Sequence, residues 1–281
     1  MVRLPVSRPI DVLHLGRDRV ICAYEVGGAI VDPGPASTVE TLIDRLGPVE
    51  PRALMLTHIH LDHAGATGVL CRRYPKLKVY VHELGAPHLV DPSKLLKSAG
   101  RLHGDDMWEL WGEVAPVPEE RITVLTGGET VEGFRVAYTP GHASHHVSYL
   151  HEETGDAYVG DVAGVRIPPY PYTIAPTPPP DIDVEAWLDS IHTIACWNAQ
   201  SLALTHFGQI TSVADHLHRT RTALVQSAER ARMKDEETFI ARMEQDMLDK
   251  TDKATVEVFE QAAPPNQLYM GLERYWRKKA E

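Results

Sequence analysis

The sequence predicts an α+β protein in which two β-sheets pack between layers of helices, followed by a helical C-terminal region. Over the first two-thirds of the 281 residues, short apolar runs alternate with turn signals and helical stretches, in two halves that each run from strands into a helix. Each half also ends a strand on a histidine. From about Thr211 the chain becomes charge-rich and helical. We therefore predict a sheet-forming domain at residues 1–208 and a helical extension at 209–281.

The first half is predicted to contain a hairpin, a helix and a buried strand. Two strands, 20–26 and 29–32, are joined by Gly27-Gly28, which favours a tight turn. A helix over 37–46 has Ser37 or Thr38 as its N-cap and ends at Gly47. Further strands are predicted at 53–56 and 78–81, the second followed by a helix through Leu89. Residues 92–120 are less regular, and we expect them to form an excursion near the mouth of a site.

The second half is predicted to be β-rich and interrupted by one stiff loop. Its strands lie at 122–124, 130–131, 134–138, 147–150, 157–159 and 201–204. Residues 167–180 contain seven of the chain's 21 prolines, so this segment forms an irregular loop rather than a helix or strand. A helix is predicted at 184–195, and the C-terminal helices are expected to break near Asp235, Asp252 and Pro264-Pro265.

Composition narrows the class of partner. The net charge is −11, which argues against a nucleic-acid partner because phosphates require a basic patch. The three cysteines are widely spaced and no apolar run approaches the roughly 18 residues that span a bilayer, so we expect a cytoplasmic protein without a membrane segment. The partner we expect is a small molecule. The apolar residues of 268–276 could dock on the core or on a second subunit, so a homodimer through the C-terminal helices is one expectation.

A cluster of histidines follows the strand at 53–56. His58, His60, Asp62 and His63 form the pattern H-x-H-x-D-H just before a glycine-bearing turn. Residues i and i+2 of an extended chain point to the same side, so His58 and His60 can bind one cation together. Asp62 and His63 lie where the chain turns and can face a second cation. Imidazole and carboxylate ligands together favour zinc, manganese or iron over calcium.

Three further residues lie at strand ends beside turns. His142 follows the strand at 134–138, Asp161 follows the strand at 157–159, and His206 follows the strand at 201–204. Taken singly, such a residue is more often a cap or a hydrogen-bonding group. Their shared position makes a common rim plausible.

These motifs resemble those of the metallo-β-lactamase-fold superfamily, in particular its glyoxalase II-like thioesterases and lactonases. The resemblance covers roughly residues 10–208 and rests on 57–63, 139–142, 160–161 and 205–206. It implies the αββα four-layer sandwich of that family and two divalent metal ions, with zinc expected and iron or manganese as alternatives. By the resemblance, the first metal is held by His58, His60 and His142, the second by Asp62, His63 and His206, and Asp161 bridges them.

That ligand set predicts a dinuclear hydrolase acting on a small ester, lactone or thioester. A water between two dications is acidified to a hydroxide near neutral pH, and the metals stabilise the oxyanion. Asp62 is the catalytic residue expected to orient this hydroxide and to pass its proton to the leaving group. The alternative is a mononuclear iron enzyme of the persulfide-dioxygenase type, which shares the fold but would not need Asp62, His63 and His206 together.

Four other residues are candidates for orienting a ligand or contacting substrate. Asp32 matches the family's strand-end aspartate that orients a ligand histidine, although a turn-capping role fits its Pro-Gly context equally well. His146 matches a frequent non-ligand histidine, whereas His145 has no counterpart. Tyr170 and Tyr172 in the proline-rich loop could hydrogen-bond a substrate, but packing of the loop is the favoured interpretation. The C-terminal region contains no clear basic cluster for a glutathione carboxylate.

Overall fold

The computed structural model describes residues 7–281 and contains two six-stranded sheets that pack face to face. The first sheet has the order β1-β2-β3-β4-β5-β6. Its strands are β1 (Arg8–Asp11), β2 (Cys22–Val26), β3 (Ala29–Val31), β4 (Ala53–Met55), β5 (Lys78–His82) and β6 (Ile122–Leu125). The second sheet has the order β12-β11-β10-β9-β8-β7. Its strands are β7 (Thr130–Val131), β8 (Phe134–Tyr138), β9 (Val147–His151), β10 (Asp156–Tyr158), β11 (Ser201–Leu204) and β12 (Gly208–Ile210).

Eleven α-helices, counted within residues 7–281, surround the sheets. Those of the first half are α1 (Val39–Leu46), α2 (Leu61–Ala64), α3 (Thr67–Arg73), α4 (Ala86–Val90), α5 (Ser93–His103) and α6 (Met107–Trp111). The others are α7 (Val184–Ala195), α8 (Val213–Met233), α9 (Glu236–Lys250), α10 (Lys253–Ala262) and α11 (Pro265–Ala280). None of these helices is both long and apolar enough to cross a membrane.

The period of two along each strand divides its side chains between two cores. On β4, Ala53 and Met55 face the second sheet, whereas Leu54 packs toward the helices. The core between the sheets is rich in aromatic residues, and two of its tyrosine hydroxyls donate to backbone carbonyls across the interface. Tyr24 Oη donates to the Leu204 carbonyl and Tyr149 Oη donates to the Leu56 carbonyl, at 2.7 Å each. The predicted four-layer sandwich is confirmed.

The C-terminal helices belong to the same apolar core as the sheets and α7. Leu224 of α8, Phe239 of α9, Phe259 of α10 and Leu272 of α11 are fully buried in it. Leu268, Leu272 and Tyr275 of the last helix therefore pack within the chain, whereas Met270 is exposed, and the homodimer stays a prediction. The division at residue 208 also stays a prediction, although β12 extends the second sheet to Ile210.

Most predicted elements agree with the structure to within two or three residues. The hairpin is present, with Val26 opposite Ala29, and the C-terminal helices break at the expected positions. The cap of the first helix differs: Thr38 precedes α1, but its hydroxyl donates to the Pro35 carbonyl instead of capping the helix. Residues 92–120 were predicted to be irregular, which was wrong because α5 and α6 occupy much of the segment. Their expected position beside a site agrees with the structure, since both helices line a cavity.

Candidate metal centre

The seven predicted ligand residues lie together at one edge of the sandwich. Strands β3 to β6 are mutually parallel, as are β10 and β11, so their carboxyl ends meet at this edge. The chain after β4 contributes four of the seven residues, and the chains after β8, β10 and β11 contribute one each. They form a first group of His58, His60, His142 and Asp161, and a second group of Asp62, His63 and His206.

The nitrogen atoms of the first group converge on one point. His60 Nδ1 lies 3.0 Å from His58 Nε2 and 3.0 Å from His142 Nε2. His142 Nε2 also lies 3.3 Å from Asp161 Oδ2. One shared proton cannot satisfy three converging imidazole nitrogens, whereas a cation can accept all of their lone pairs.

The second group lies on the other side of Asp161. Asp62 Oδ2 is 3.2 Å from His206 Nε2 and 3.6 Å from His63 Nε2. Asp161 directs Oδ1 at this group, 3.3 Å from His63 Nε2 and 3.6 Å from His206 Nε2. The carboxylate of Asp161 therefore presents one oxygen to each group, which is the geometry of a bridging ligand.

Four of the histidines are oriented by a hydrogen bond from Nδ1, the ring nitrogen that points away from the ligand groups, to a fixed acceptor. The Nδ1 atoms of His142 and His206 lie 2.8 and 2.6 Å from the carbonyl oxygens of Pro176 and Val20. His58 Nδ1 lies 3.1 Å from Thr57 Oγ1. Because Nδ1 donates to these acceptors, Nε2 retains the lone pair that faces its group.

Asp32 orients the fourth histidine, His63. Its carboxylate is fully buried, and Oδ2 lies 2.8 Å from His63 Nδ1. It also accepts hydrogen bonds from the Thr57 amide and hydroxyl and from the Thr205 hydroxyl. Asp32 thus contacts residues that precede ligands in both sheets and holds the two halves of the site in register.

The electrostatics of the two groups differ. Burial lowers the pKa of His58 well below its ordinary value and lowers the pKa of His60 to about 3. Both rings are therefore uncharged at neutral pH, with one proton each. Burial also opposes protonation of His63, but the carboxylates of Asp161, Asp62 and Asp32 raise its pKa well above the ordinary value. A cation in the second group would displace that proton.

The residues present fit a pair of divalent transition metals. His63 Nε2 and Asp161 Oδ1 are buried, and neither has a hydrogen-bond partner among residues 7–281. A buried polar atom without a partner is costly, and a bound cation would remove that cost at both atoms. The donor set of five imidazoles and two carboxylates suits zinc, iron or manganese.

A cavity of about 690 Å³ opens beside the two groups, and His60, Asp62 and Asp161 form part of its wall. Its apolar lining comes from the segment after β4, from α5 and α6, from the proline-rich loop and from the junction of α10 with α11. The lining includes Ile59, Leu61, Leu95, Leu102, Leu110, Trp111, Pro178 and Leu268. Such a combination of apolar walls and a few polar groups is typical of a small-molecule site.

The other predicted residues lie outside the two groups. His146 Nδ1 lies 3.0 Å from Thr139 Oγ1, and the ring stacks on His58 with centroids 5.0 Å apart. Neither tyrosine of the loop lines the cavity. Tyr170 Oη donates to Asp252 at 2.7 Å, and Tyr172 packs on Phe259. For both tyrosines the structure favours the packing interpretation over contact with a substrate.

Several cavity residues were not singled out from the sequence. No motif points to His14, His88 or His103, yet all three line the cavity, as does His145. Their sequence neighbourhoods carry no motif. Only the chain's folding brings these residues to the cavity, so no sequence signal could have identified them.

Comparisons with known proteins identify the family of this chain. The family model of the metallo-beta-lactamase superfamily matches residues 20–241. A metallo-beta-lactamase fold-containing protein of Sulfurisphaera tokodaii is 28% identical over 192 residues, which cover 65% of this chain and 69% of that protein. A hydroxyacylglutathione hydrolase of a Synechococcus strain is 31% identical over 137 residues. That match covers 47% of this chain and 42% of the relative, so the chain spans less than half of the relative's length.

Solved structures show the same fold over nearly the whole chain. An archaeal metallo-beta-lactamase superfamily protein from Sulfolobus tokodaii aligns with a TM-score of 0.70 at 23% identity, covering 97% of this chain and 99% of that one. A metallo-beta-lactamase family protein from Thermus thermophilus aligns with a TM-score of 0.65 at 20% identity, covering 99% and 95%. The family that the motifs predict is confirmed: the chain belongs to the metallo-beta-lactamase superfamily.

Proposed function

We propose that the chain is a dinuclear metal-dependent hydrolase of a small ester, lactone or thioester. The observation that carries the proposal is the position of Asp161, whose two carboxylate oxygens face two separate groups of ligand atoms. In this proposal His58, His60 and His142 hold one metal, Asp62, His63 and His206 hold the other, and Asp161 bridges them. Two bound dications would lower the pKa of a water between them and polarise a substrate carbonyl.

Asp62 is the proposed catalytic residue of the chain itself. Its side chain is 22% exposed, and it borders the cavity, whereas the Asp161 side chain is 5% exposed. His206 and His63 lower the pKa of Asp62 although burial opposes them, so the group is a carboxylate at neutral pH. A carboxylate that is fixed on one side by His206 and open to the cavity can accept a proton from water and pass it to a leaving group.

The charges around the cavity favour a substrate whose acyl group is uncharged. Lys94 is the one lysine or arginine among the described residues that line it. The carboxylates of Asp106, Asp181 and Glu260 also line it. A substrate that carries carboxylates far from its reacting bond, as glutathione thioesters do, would face these acids with a single counterion. We therefore infer an ester, lactone or thioester with an apolar acyl portion.

The test combines metal analysis with a substrate panel. Protein loaded with zinc, iron or manganese is assayed with esters, lactones, thioesters and β-lactams, and bound metal is counted in the same samples. We expect two metals per chain and hydrolysis within the first three classes. Asp62→Ala should abolish hydrolysis with the fold retained, whereas Asp106→Ala, which removes a carboxylate from the cavity rim, should retain it. One iron per chain with oxygen uptake would instead identify the mononuclear dioxygenase.

A further inference from the structure

His145 differs from the other polar side chains of the turn at 142–146. His142 is bonded to the Pro176 carbonyl, Ser144 Oγ donates to Asp181 at 2.7 Å, and His146 is bonded to Thr139. Among residues 7–281, His145 alone in this turn has a polar side chain without a hydrogen-bond partner. Its Nδ1 is enclosed, while the ring is partly exposed and borders the cavity. Nε2 is therefore the ring nitrogen that is open to the cavity.

The enclosed nitrogen determines where the ring proton lies. A proton on Nδ1 would be a buried donor with no acceptor, and orphaned buried donors are among the costliest polar groups in a fold. The neutral ring therefore carries its proton on Nε2. A single N–H donor thus faces the cavity.

The surrounding structure fixes this donor beside the first group. Tyr138 Oη donates to the Ser144 carbonyl at 2.9 Å, and the Ser144 hydroxyl is held by Asp181, so the backbone next to His145 is held on two sides. The ring lies edge-to-face with His60, with centroids 5.7 Å apart, and parallel to His58 at 6.1 Å. A donor held this way needs little reorganisation when a ligand binds.

We propose that His145 contacts the substrate, with its Nε2–H donating a hydrogen bond to the carbonyl oxygen of the reacting ester, lactone or thioester. The inference rests on the proposed function, because the carbonyl would be bound beside His145 by a metal that the first group holds. Negative charge develops on this oxygen as the acyl carbon becomes tetrahedral, and a fixed donor then interacts more strongly than it does in the ground state. His145 would in this way raise kcat more than it lowers KM.

The test compares His145→Leu with His145→Gln. Leucine removes the donor and keeps the bulk, whereas the glutamine amide can place an N–H near the position of Nε2. With metal-loaded protein and p-nitrophenyl hexanoate, we expect His145→Leu to lower kcat/KM by about 100-fold, chiefly through kcat. His145→Gln should stay within roughly tenfold of the unmodified protein. Both variants should keep the metal content and the Tm of the unmodified protein.

Three outcomes would overturn the assignment. These are an unchanged kcat/KM in His145→Leu, an equal loss in both variants, and a loss of bound metal in His145→Leu, which would make the ring part of metal binding.

Calorimetric binding of hexanoate separates this inference from the proposed function. Its carboxylate offers the same acceptor, so we expect the Kd to rise about tenfold in His145→Leu and little in His145→Gln. If the unmodified protein hydrolyses no ester, lactone or thioester but hexanoate binds with this pattern, the proposed function fails and the role of His145 as an oxygen-binding donor stands. If esters are hydrolysed but neither measurement depends on His145, only the assignment of His145 fails.

Discussion

Replacing Asp32 by asparagine should remove metal from the second group while leaving the first group intact. Oδ1 of Asp32 accepts from the Thr57 amide, and an asparagine oxygen can keep that bond. The asparagine NH₂ then takes the place of Oδ2, where the Thr57 hydroxyl, the Thr205 hydroxyl and His63 Nδ1 all converge. The hydroxyls can rotate to accept from the amide. His63 can accept only by moving its proton to Nε2.

The change of tautomer determines how much metal affinity is lost. A proton on His63 Nε2 would occupy the lone pair that faces Asp161 and Asp62, so the ring could no longer be a ligand. Loss of a group that orients a ligand typically weakens metal binding about 10–100-fold. The metal-free protein loses at least one charge-assisted hydrogen bond to a buried carboxylate, and its free energy of unfolding should fall by about 2–3 kcal/mol.

Two measurements check the prediction. Metal-loaded protein is dialysed against a chelator and the metal per chain is counted, and urea unfolding is followed in the metal-free protein. Asp32→Asn should lose close to one metal equivalent first. Thr205→Val is the matched control, because it removes one donor to the same oxygen and leaves His63 bonded to Asp32. If Asp32→Asn retained both metals as tightly as the control, the argument from the tautomer would be refuted.

Three further predictions concern the surroundings of the site. Tyr170→Phe should change kcat/KM by no more than about twofold and the free energy of unfolding by no more than about 1 kcal/mol, because the Tyr170 hydroxyl donates only to the exposed Asp252. A tenfold loss of activity would instead indicate that Tyr170 contacts the substrate. Trp187→Phe should lower the free energy of unfolding, measured with urea, by about 2–4 kcal/mol, since it opens a void and leaves the Val162 carbonyl without its hydrogen-bond donor. His216 is buried, and burial lowers its pKa to about 4. Between about pH 6.5 and pH 4 this histidine is therefore protonated in the unfolded chain but neutral in the folded chain. The folded state therefore loses stability as the pH falls from 6.5 to 4, by up to about 3 kcal/mol, and His216→Gln should flatten that part of the stability profile; parallel profiles for the two proteins would contradict this.

The positions of the seven candidate ligand residues could be predicted from the sequence because each depends on local geometry. A side chain that follows a buried strand lies at the edge of a sheet, and parallel neighbours place such residues side by side. The i, i+2 spacing of His58 and His60 is of the same kind, and their facing nitrogens lie 3.0 Å apart. What the pattern cannot predict is orientation, such as which oxygen of Asp161 faces which group.

The cavity walls could not be predicted, because they depend on packing between distant segments. Helix α5 contains Gly100, which weakens the helical signal of the isolated sequence. Leu95 of this helix packs against the main apolar core, and that contact compensates for weak local propensity. Tyr172 illustrates the same limit: its sequence context predicts a packed aromatic ring, but not that Phe259 is its partner.

Gly271 shows how far from the ligands the shape of the cavity is determined. Within a helix, glycine costs about 1 kcal/mol relative to alanine, and the sequence offers no reason for it. In the structure, a Cβ at this position would lie 2.0 Å from the Thr177 carbonyl oxygen. The backbone of α11 therefore lies directly against the proline-rich loop, and Thr177 Oγ1 donates to the Leu268 carbonyl at the same junction. Leu268 and Pro178 from these two segments both line the cavity. The candidate metal centre thus depends on residues that adjoin the strands, whereas the volume of the cavity depends on how closely the last helix approaches the loop.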